Sequence, residues 1–233
     1  MTTATRTRRK PVRRRAGRPE AGGIDQRDAL LDAALACFVR DGIAATALRT
    51  VAREAGVTPA MLHYYFGDKT ALVQAVIAER VLPAFESLRA ALATRMQGAD
   101  PMDALAAFVD GIGVLVQTHP WLPPLWVREV LCEGGALRGL LLEEVAPQLR
   151  VLLPARLVSA FEQGQLAEGI DPRLLVVSLV GLTLFPAAGA PIWRRMLGAD
   201  DIDGTTMRTH TLALLRGGVL AAPASASRKR SKR

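Results

Sequence analysis

The sequence predicts an all-α protein. Apolar residues recur at helical spacing along almost the whole chain of 233 residues, and no run of alternating apolar and polar residues is bounded by hairpin turns. Half of the residues are apolar, which allows a substantial core in one large domain or two moderate ones. A globular helical protein is therefore expected.

Three short helices are predicted near the N-terminus. The first covers about residues 25–41 and stops at Gly42. The second covers about residues 48–55, where apolar residues fall on one face. Thr58 is a good N-cap and Pro59 a good first helical residue, so the third helix begins there.

A fourth helix links the two predicted domains. Asp68 is expected to cap it, and it runs through the residues numbered in the eighties. We place the domain boundary within this helix, with residues 23–75 in the first domain and residues 76–220 in the second.

Long apolar helices separated by Pro and Gly are predicted for the second domain. They cover about residues 101–118, 121–132, 137–166, 171–189 and 205–218.

One segment of the second domain also fits a membrane span. Residues 174–193 carry no charge over twenty positions, which is long enough to cross a bilayer. Pro186 and Pro191 are expected to end the helix early, leaving about fourteen uninterrupted residues. A helix that is apolar all round fits equally well between a core and a second subunit, so a membrane-associated module remains an alternative.

Positive charge is concentrated at the two ends of the chain. Residues 6–18 hold eight Lys or Arg residues and residues 228–233 hold five, so that the body carries 17 basic residues against 22 acidic ones. Such blocks stay unfolded and concentrate positive potential. We predict a disordered basic arm over residues 1–22 that meets a polyanion, and a disordered basic tail over residues 221–233 for which a solubilising role remains open.

The cysteine count and the N-terminus indicate an intracellular, cytoplasmic protein. Two cysteines provide no disulfide framework, which suits a reducing compartment. No apolar segment follows the basic start, so a secretory signal is not expected.

The second and third helices have the dimensions of a helix-turn-helix. The turn between them, Ala-Gly-Val-Thr, contains the glycine that sets one helix across the other. Leu62 and Phe66, with Tyr65 as a third candidate, are expected to pack inward, and the outward face consists of Pro59, Ala60, Met61, His63 and Tyr64. An apolar and aromatic surface beside an arginine-rich arm favours DNA as the partner. An ordinary three-helix unit with surface aromatics remains open.

Residues 46–72, TALRTVAREAGVTPAMLHYYFGDKTAL, resemble the signature of the TetR family of bacterial transcriptional regulators. The shared features are a threonine near the second helix, A-x-x-A-G-V, a capping Ser or Thr, L-x-x-x-F, and then Lys and Leu. The chain departs from the family at His63, where a phosphate-binding tyrosine is usual, and Tyr64 occupies the next position. The resemblance implies an N-terminal DNA-binding domain and a C-terminal domain for ligand binding and dimerisation.

The resemblance also implies DNA contacts. Pro59, Ala60, Met61 and Tyr64 are placed nearest the base edges, and the first three read only thymine methyl groups and shape because they offer no side-chain hydrogen bond. Arg49 matches a position that reaches a base in relatives, where it is expected to pair with guanine.

Further contacts involve the DNA backbone and the minor groove. Thr46, Thr50, Thr58 and Lys69 are expected at phosphates, with His63 at the family's tyrosine position. Arg13, Arg14, Arg15 and Arg18 of the arm suit a narrow minor groove.

In the second domain, the resemblance implies a homodimer, a pseudo-palindromic operator and a cavity for a small-molecule effector. Candidate wall residues are Phe108, Trp121, Trp126, Phe161 and Phe185, and candidate polar contacts are Arg128, Glu129 and Cys132. Core packing is the competing role for the wall residues, and a surface pair is the competing role for Arg128 and Glu129.

The predicted function is a DNA-binding transcriptional regulator, most often a repressor in this family, that a small and largely apolar ligand releases from its operator. The three histidines are far apart and form no metal-binding pattern, and neither a phosphate-binding loop nor a nucleophile elbow is found, so no enzyme activity, cofactor or metal is expected. A redox sensor based on Cys132 remains an alternative beside the membrane-associated module.

Overall fold

The computed structural model describes residues 22–95, 100–147 and 157–219. Within these ranges the regular elements are helices, which confirms the predicted all-α class. Residues 1–21, including the four arginines assigned to the arm, and the predicted tail lie outside the described residues.

The first three helices match their predicted positions. Helix α1 spans Gly22–Asp41, α2 spans Leu48–Glu54 and α3 spans Pro59–Phe66. Gly42 ends α1 with a φ of 88°, a backbone conformation that glycine adopts without a steric penalty. Thr58 caps α3, because its hydroxyl accepts a hydrogen bond from the backbone N–H of Met61 at 3.4 Å.

The fourth helix is a continuous rod with a wider turn in its middle. Helix α4 spans Lys69–Val76, a π-helical segment, π1, spans Ile77–Val81, and α5 spans Leu82–Arg95. Asp68 caps the rod as predicted, since its carboxylate accepts from the N–H of Ala71 at 2.8 Å.

Two helices and three shorter segments begin the second half of the chain. Helix α6 spans Pro101–Thr118, α7 spans Leu122–Trp126, and the π-helical segment π2 spans Val127–Leu131. Helix α8 spans Arg138–Leu140 and continues into π3, Leu141–Val145.

Two long helices end the described chain. Residues 157–162 are helical, and a loop then leads to α9, Pro172–Leu197, and α10, Gly204–Gly218. The predicted helix over 137–166 is therefore too long at its C-terminal end, because Gly164 turns with a φ of 68° and stops it.

The predicted end of the ninth helix at its prolines is wrong. Helix α9 runs through Pro186 and Pro191 to Leu197, although an internal proline costs about 3 kcal/mol. The four residues before Pro191 are Ala, Ala, Gly and Ala, so the proline ring meets a turn with little side-chain bulk. In addition, the indole N–H of Trp193 donates to the carbonyl oxygen of Pro186 at 2.8 Å. These contacts favour a continuous helix over the break that proline usually causes.

The buried apolar residues form two clusters. One joins α1, α2, α3 and the first half of the rod to residues of α7 and π2, and it ends along the rod at Val81. The other begins at Ala84 and combines α5 with α6, α9 and α10. The rod changes core between these two residues, six to nine positions beyond the boundary drawn from the sequence.

Ion pairs fasten α1 to the rod. The guanidinium of Arg27 binds the carboxylate of Glu79, and this bond holds the pKa of Glu79 below its usual value. Arg80 pairs with Asp32 at 2.7 Å and with Asp28 at 3.2 Å. The N-terminal helices are therefore tied to the rod that enters the second core.

Helix α9 leaves an apolar stripe on the surface. Among the described residues it is the helix long and apolar enough to cross a membrane, with a mean hydropathy of 1.9 in its best window, and 17% of that window is buried. Large exposed apolar side chains fall on one face of the helix, at helical spacings of three, eight, seven and four residues, namely those of Leu174, Val177, Phe185, Ile192 and Met196. The opposite face packs against α6 and α7.

Candidate DNA interface and ligand cavity

The turn between α2 and α3 has the backbone conformation that its residues predict. Gly56 has a φ of 67°, which lets the chain reverse direction after α2. The N–H of Val57 then donates to the carbonyl oxygen of Ala52 at 2.9 Å, which holds the turn against α2. Helix α3 starts two residues later.

Helix α3 divides into an inner and an outer face as predicted. Leu62 and Phe66 are buried in the N-terminal core, and Tyr65 is partly buried beside them. Tyr64 is 84% exposed and meets the ring of Tyr65 edge to face, with ring centroids 5.4 Å apart. Tyr65 therefore supports the ring of Tyr64, which belongs to neither buried cluster.

The rest of the outer face is small or polar. Pro59, Ala60 and His63 are exposed, and Met61 is half-buried. The imidazole Nδ1–H of His63 donates to the carbonyl oxygen of Gly67, which orients the ring at the C-terminal end of α3. A hydrogen-bonded ring of this kind presents its Nε2 atom outward.

One predicted phosphate contact is contradicted by the structure. Thr46 is only 3% exposed, and its hydroxyl donates to the carbonyl oxygen of Gly42 at 2.7 Å. The N-cap of α2 is Ala47, which has no side-chain group for a cap or a phosphate. Thr46 therefore closes the turn between α1 and α2, and the exposed residue nearest to it on α2 is Arg49.

The other candidate DNA contacts are accessible. Arg49 and Thr58 are exposed, and Thr50 is half-buried. The ammonium group of Lys69, at the start of α4, donates to the carbonyl oxygen of Ala44 at 2.7 Å. This bond joins the start of α4 to the turn before α2. It holds the charge of Lys69 next to α2 and α3.

Two predicted ligand contacts instead join the two halves of the molecule. Glu129 is 4% exposed, and its carboxylate oxygens accept from the N–H of Ile43 at 2.8 Å and from the N–H of Ala136 at 3.0 Å. Arg128 donates to the carbonyl oxygen of Arg40, at the end of α1, at 2.9 Å. We call these five residues the junction. The sequence alone does not distinguish this role of Arg128 and Glu129 from that of an ion pair on the surface.

The two glycines beside the junction leave room for Glu129. A Cβ atom on Gly42 would lie 3.3 Å from the Glu129 carboxylate and 3.3 Å from the Arg128 side chain. A Cβ atom on Gly135 would lie 2.3 Å from the carbonyl oxygen of Glu129, closer than any side chain tolerates. The glycines are thus needed for the close approach of the loop and the α1–α2 turn.

A cavity with mainly apolar walls lies elsewhere than predicted. It has a volume of about 350 Å³ and is enclosed by α6, α9 and the start of α10. Its lining comprises Val109, Ile112, Gly113, Val116, Gln117, Pro120, Leu182, Thr183, Pro186, Ala187, Ala190, Trp193, Arg194, Asp203, Gly204, Met207, Arg208 and Thr211. None of the eight residues predicted to line or contact a ligand is among them.

The predicted wall residues have other surroundings. Phe108 is buried in the second core, and Trp121 and Trp126 are half-buried where the two cores meet. Trp126 does line a second cavity, but that space is only about 20 Å³. Phe161 and Phe185 are 52% and 69% exposed. Aromatic size suggested walls, but the packing of helices decided which side chains face the cavity.

The sequence missed the polar groups of the large cavity. Arg194 follows Trp193 near the end of a helix that was predicted to cover residues 171–189, so neither residue was assigned to it. A weak signal was available, since an arginine within an apolar helix needs a partner or a polar cavity.

The thiols and carboxylates form no evident second site. Cys37 is buried, and burial raises the pKa of its thiol, whereas Cys132 is exposed. In the part of the chain that the structure describes, no group of three or more His, Cys, Asp or Glu side chains could hold a metal ion.

Comparison with known proteins places the helix-turn-helix in a known group. Residues 30–76 match the family described as bacterial regulatory proteins, tetR family. The nicotine-responsive transcriptional repressor HdnoR of Paenarthrobacter nicotinovorans is 35% identical over 113 residues, which cover 41% of this chain and 58% of that protein. The regulator BetI of Rhizobium meliloti is 46% identical over 52 residues, which cover 22% of this chain and 26% of that protein.

The fold as a whole also has solved counterparts. The ketosteroid transcriptional regulator KstR2 of Mycobacterium tuberculosis superposes with a TM-score of 0.67 at 20% identity, covering 84% of this chain and 96% of that one. The chain spans about a quarter to three fifths of the length of the curated relatives it matches.

The fold and the outer face of α3 define a helix-turn-helix protein with a second, helical core. The matches above show that residues 30–76 carry the helix-turn-helix of the tetR family of bacterial regulatory proteins, and that the fold of the chain is similar to that of solved transcriptional regulators.

Proposed function

We propose that the protein is a homodimeric, sequence-specific repressor that acts in the cytoplasm and leaves its operator when a small, largely apolar molecule binds. The observation that carries this proposal is the outer face of α3. A tyrosine that is 84% exposed stands on a helix whose other side is locked into a core. Such a rigid, exposed helix suits the major groove of DNA.

The outer face suggests how bases are read. Pro59 and Ala60 offer apolar contacts for thymine methyl groups, and Tyr64 adds a hydroxyl. Arg49, exposed on α2, is the arginine that we assign to a guanine. Thr50, Thr58 and Lys69 are assigned to phosphates, because each side chain carries a donor group. His63 is assigned with them in its doubly protonated form, because Nδ1–H already donates to Gly67 and only a protonated Nε2 donates to a phosphate.

The apolar stripe of α9 supports a dimer. Five large apolar side chains, each 64–73% exposed, lie on one face of the helix. Exposed apolar patches of this size mark an interface with a partner. A second copy covers the stripe, and two copies of α3 then address the two halves of a palindromic operator.

The cavity supports control by a ligand. A volume of about 350 Å³ is within the range of small-molecule sites, and most of its wall is apolar. The cavity is lined by the face of α9 opposite the proposed dimer stripe. A ligand that binds one arrangement of α9 better than another thereby changes the spacing of the two copies of α3 in the dimer. The similarity to a repressor named as nicotine-responsive supports a small-molecule effector of some kind.

Selection of bound fragments from the source genome tests this proposal. The purified full-length chain is expected to enrich a sequence with two inverted half-sites one helical turn or a small multiple of it apart. The replacement Tyr64→Ala in the same selection is expected to change or abolish the enriched sequence. Enrichment without any inverted repeat, or enrichment that Tyr64→Ala leaves unaltered, would contradict the proposed reading surface.

A further inference from the structure

The charged side chains that line the large cavity differ in whether their polar atoms already have a hydrogen-bond or ion-pair partner. Arg208 binds the carboxylate of Asp110, with one N–O distance of 3.1 Å. Asp203 caps α10, because its carboxylate accepts from the N–H of Thr206 at 2.8 Å. Both charges therefore already have a partner.

Arg194 differs from these two groups. Its Nη2 atom donates to the carbonyl oxygen of Ile202 at 2.8 Å, and its guanidinium lies 5.5 Å from the ring centre of Trp193. Its Nε atom is buried without a hydrogen-bond partner. Within the described ranges, no carboxylate lies within ion-pair distance of this guanidinium. A buried donor without a partner is costly, so it points to a missing acceptor.

The surroundings of Arg194 narrow the choice of acceptor. The cavity wall next to it is apolar, with Val109, Ile112 and Val116 on α6 and Leu182 and Ala190 on α9. A guanidinium next to apolar walls suits an anion that carries a hydrocarbon body. Arginine binds carboxylates through charge-assisted hydrogen bonds that a neutral group cannot match.

We propose that the cavity binds an amphiphilic carboxylate, with the carboxylate group on Arg194 and the hydrocarbon body between α6 and α9. The proposal rests on the proposed function, since it names the chemical class of the effector. Binding at this place also bridges Trp193 and the loop at Ile202, which connects α9 to α10. The ligand would therefore act on both helices that flank the cavity.

Two probes of equal chain length test the class of ligand. Binding of decanoate and of 1-decanol to the full-length protein is measured by isothermal titration calorimetry. The wild-type chain is expected to bind decanoate about tenfold or more tightly than decanol, as one charge-assisted hydrogen bond allows. Equal affinities, or no binding of decanoate, would overturn the proposal.

Two variants locate the carboxylate. Arg194→Gln is expected to remove the preference for decanoate, whereas the exposed neighbour Arg195, replaced in Arg195→Gln, serves as the matched control and keeps it. A second variant, Ala190→Phe, fills part of the cavity with a bulky side chain and is expected to weaken both probes. A preference that survives Arg194→Gln, or decanoate binding that Ala190→Phe does not weaken, would refute the site.

Operator binding by the ligand-free wild-type chain separates this inference from the proposed function. A chain that binds its operator but shows no preference for decanoate refutes the carboxylate site alone. A chain that binds no DNA refutes the repressor, whatever the calorimetry shows.

Discussion

A few side chains decide what the reading surface recognises. Most of the outer face of α3 lacks hydrogen-bonding groups, because Pro59, Ala60 and Met61 are apolar. Discrimination between bases therefore depends on the polar side chains around it. Among these, Arg49 combines full exposure with a fork of donors that matches the edge of guanine.

Replacing Arg49 by alanine is expected to weaken binding to the operator by about 1–3 kcal/mol and to relax the choice of base at one position in each half-site. Fluorescence polarisation against a set of single-base operator variants measures both effects. Arg53→Ala, at an exposed position of the same helix, is the matched control. Equal weakening on all sequences would assign Arg49 to a phosphate instead.

Glu129 is the residue on which the junction depends. Its two carboxylate oxygens accept from backbone groups of different segments, one from the α1–α2 turn and one from the loop before α8. A buried carboxylate that accepts two N–H bonds contributes more than an average hydrogen bond.

Changing Glu129 to glutamine is expected to lower the free energy of unfolding by about 1–3 kcal/mol, because the amide group faces one of the two N–H donors and cannot accept from it. Urea unfolding followed by circular dichroism measures the loss. The exposed Glu133, changed to Gln, is the control and should alter stability by less than about 0.5 kcal/mol. An equally small effect of Glu129→Gln would show that the junction is dispensable for stability.

At the scale of elements, α9 serves two surfaces at once. One face lines the cavity through Leu182, Pro186 and Ala190, and the other carries the exposed apolar stripe with Phe185 near its middle. Residues three or four apart share a face of a helix, so the two surfaces alternate along the same sequence. In the proposed mechanism, a ligand in the cavity thus acts on the same helix that carries the dimer stripe.

Introducing aspartate at Phe185 is expected to convert the dimer to a monomer and to reduce operator affinity more than tenfold, since a charge cannot be buried unpaired at the centre of an apolar interface. Sedimentation velocity measures the mass, and polarisation measures the affinity. Leu142→Asp places the same charge at an apolar side chain that is 60% exposed on π3, and should leave the proposed dimer intact. A Phe185→Asp protein that remains dimeric would remove α9 from the interface.

At the scale of the whole molecule, the chain between its two basic ends carries a net negative charge, which does not attract the DNA polyanion. The two basic ends carry 13 of the 30 Lys and Arg residues, and the remainder has more acidic than basic groups. Attraction to DNA that is independent of sequence must therefore depend on the ends.

Deleting residues 1–18 is expected to weaken binding to operator and to unrelated DNA alike. The slope of log K against log salt concentration should fall by about 0.9 for each phosphate contact that is lost. Polarisation titrations from low to high salt give the slope, and a chain lacking residues 228–233 tests whether any basic end has the same effect. An unchanged slope after deletion of residues 1–18 would exclude the arm from the interface.

The sequence by itself determined the N-terminal helices, the turn between α2 and α3 and the resemblance to the TetR family. Periodicity, the caps Thr58 and Asp68, the first helical residue Pro59 and the stop at Gly42 act over a few neighbouring residues, so they can be recognised without the fold. The division of α3 into an inner and an outer face follows from the same local rule.

Only the tertiary structure decided the position of the cavity and the roles of Thr46, Glu129 and Arg194. Burial of Thr46, the capture of Ile43 by Glu129 and the exposure of Phe185 depend on which distant segments meet. Helix α9 passes through two prolines because packing against α6 and α7 outweighs a local penalty. Contacts between residues far apart in the chain carry no signature in one sequence, and these contacts decide which polar groups stay unpaired and available to a ligand.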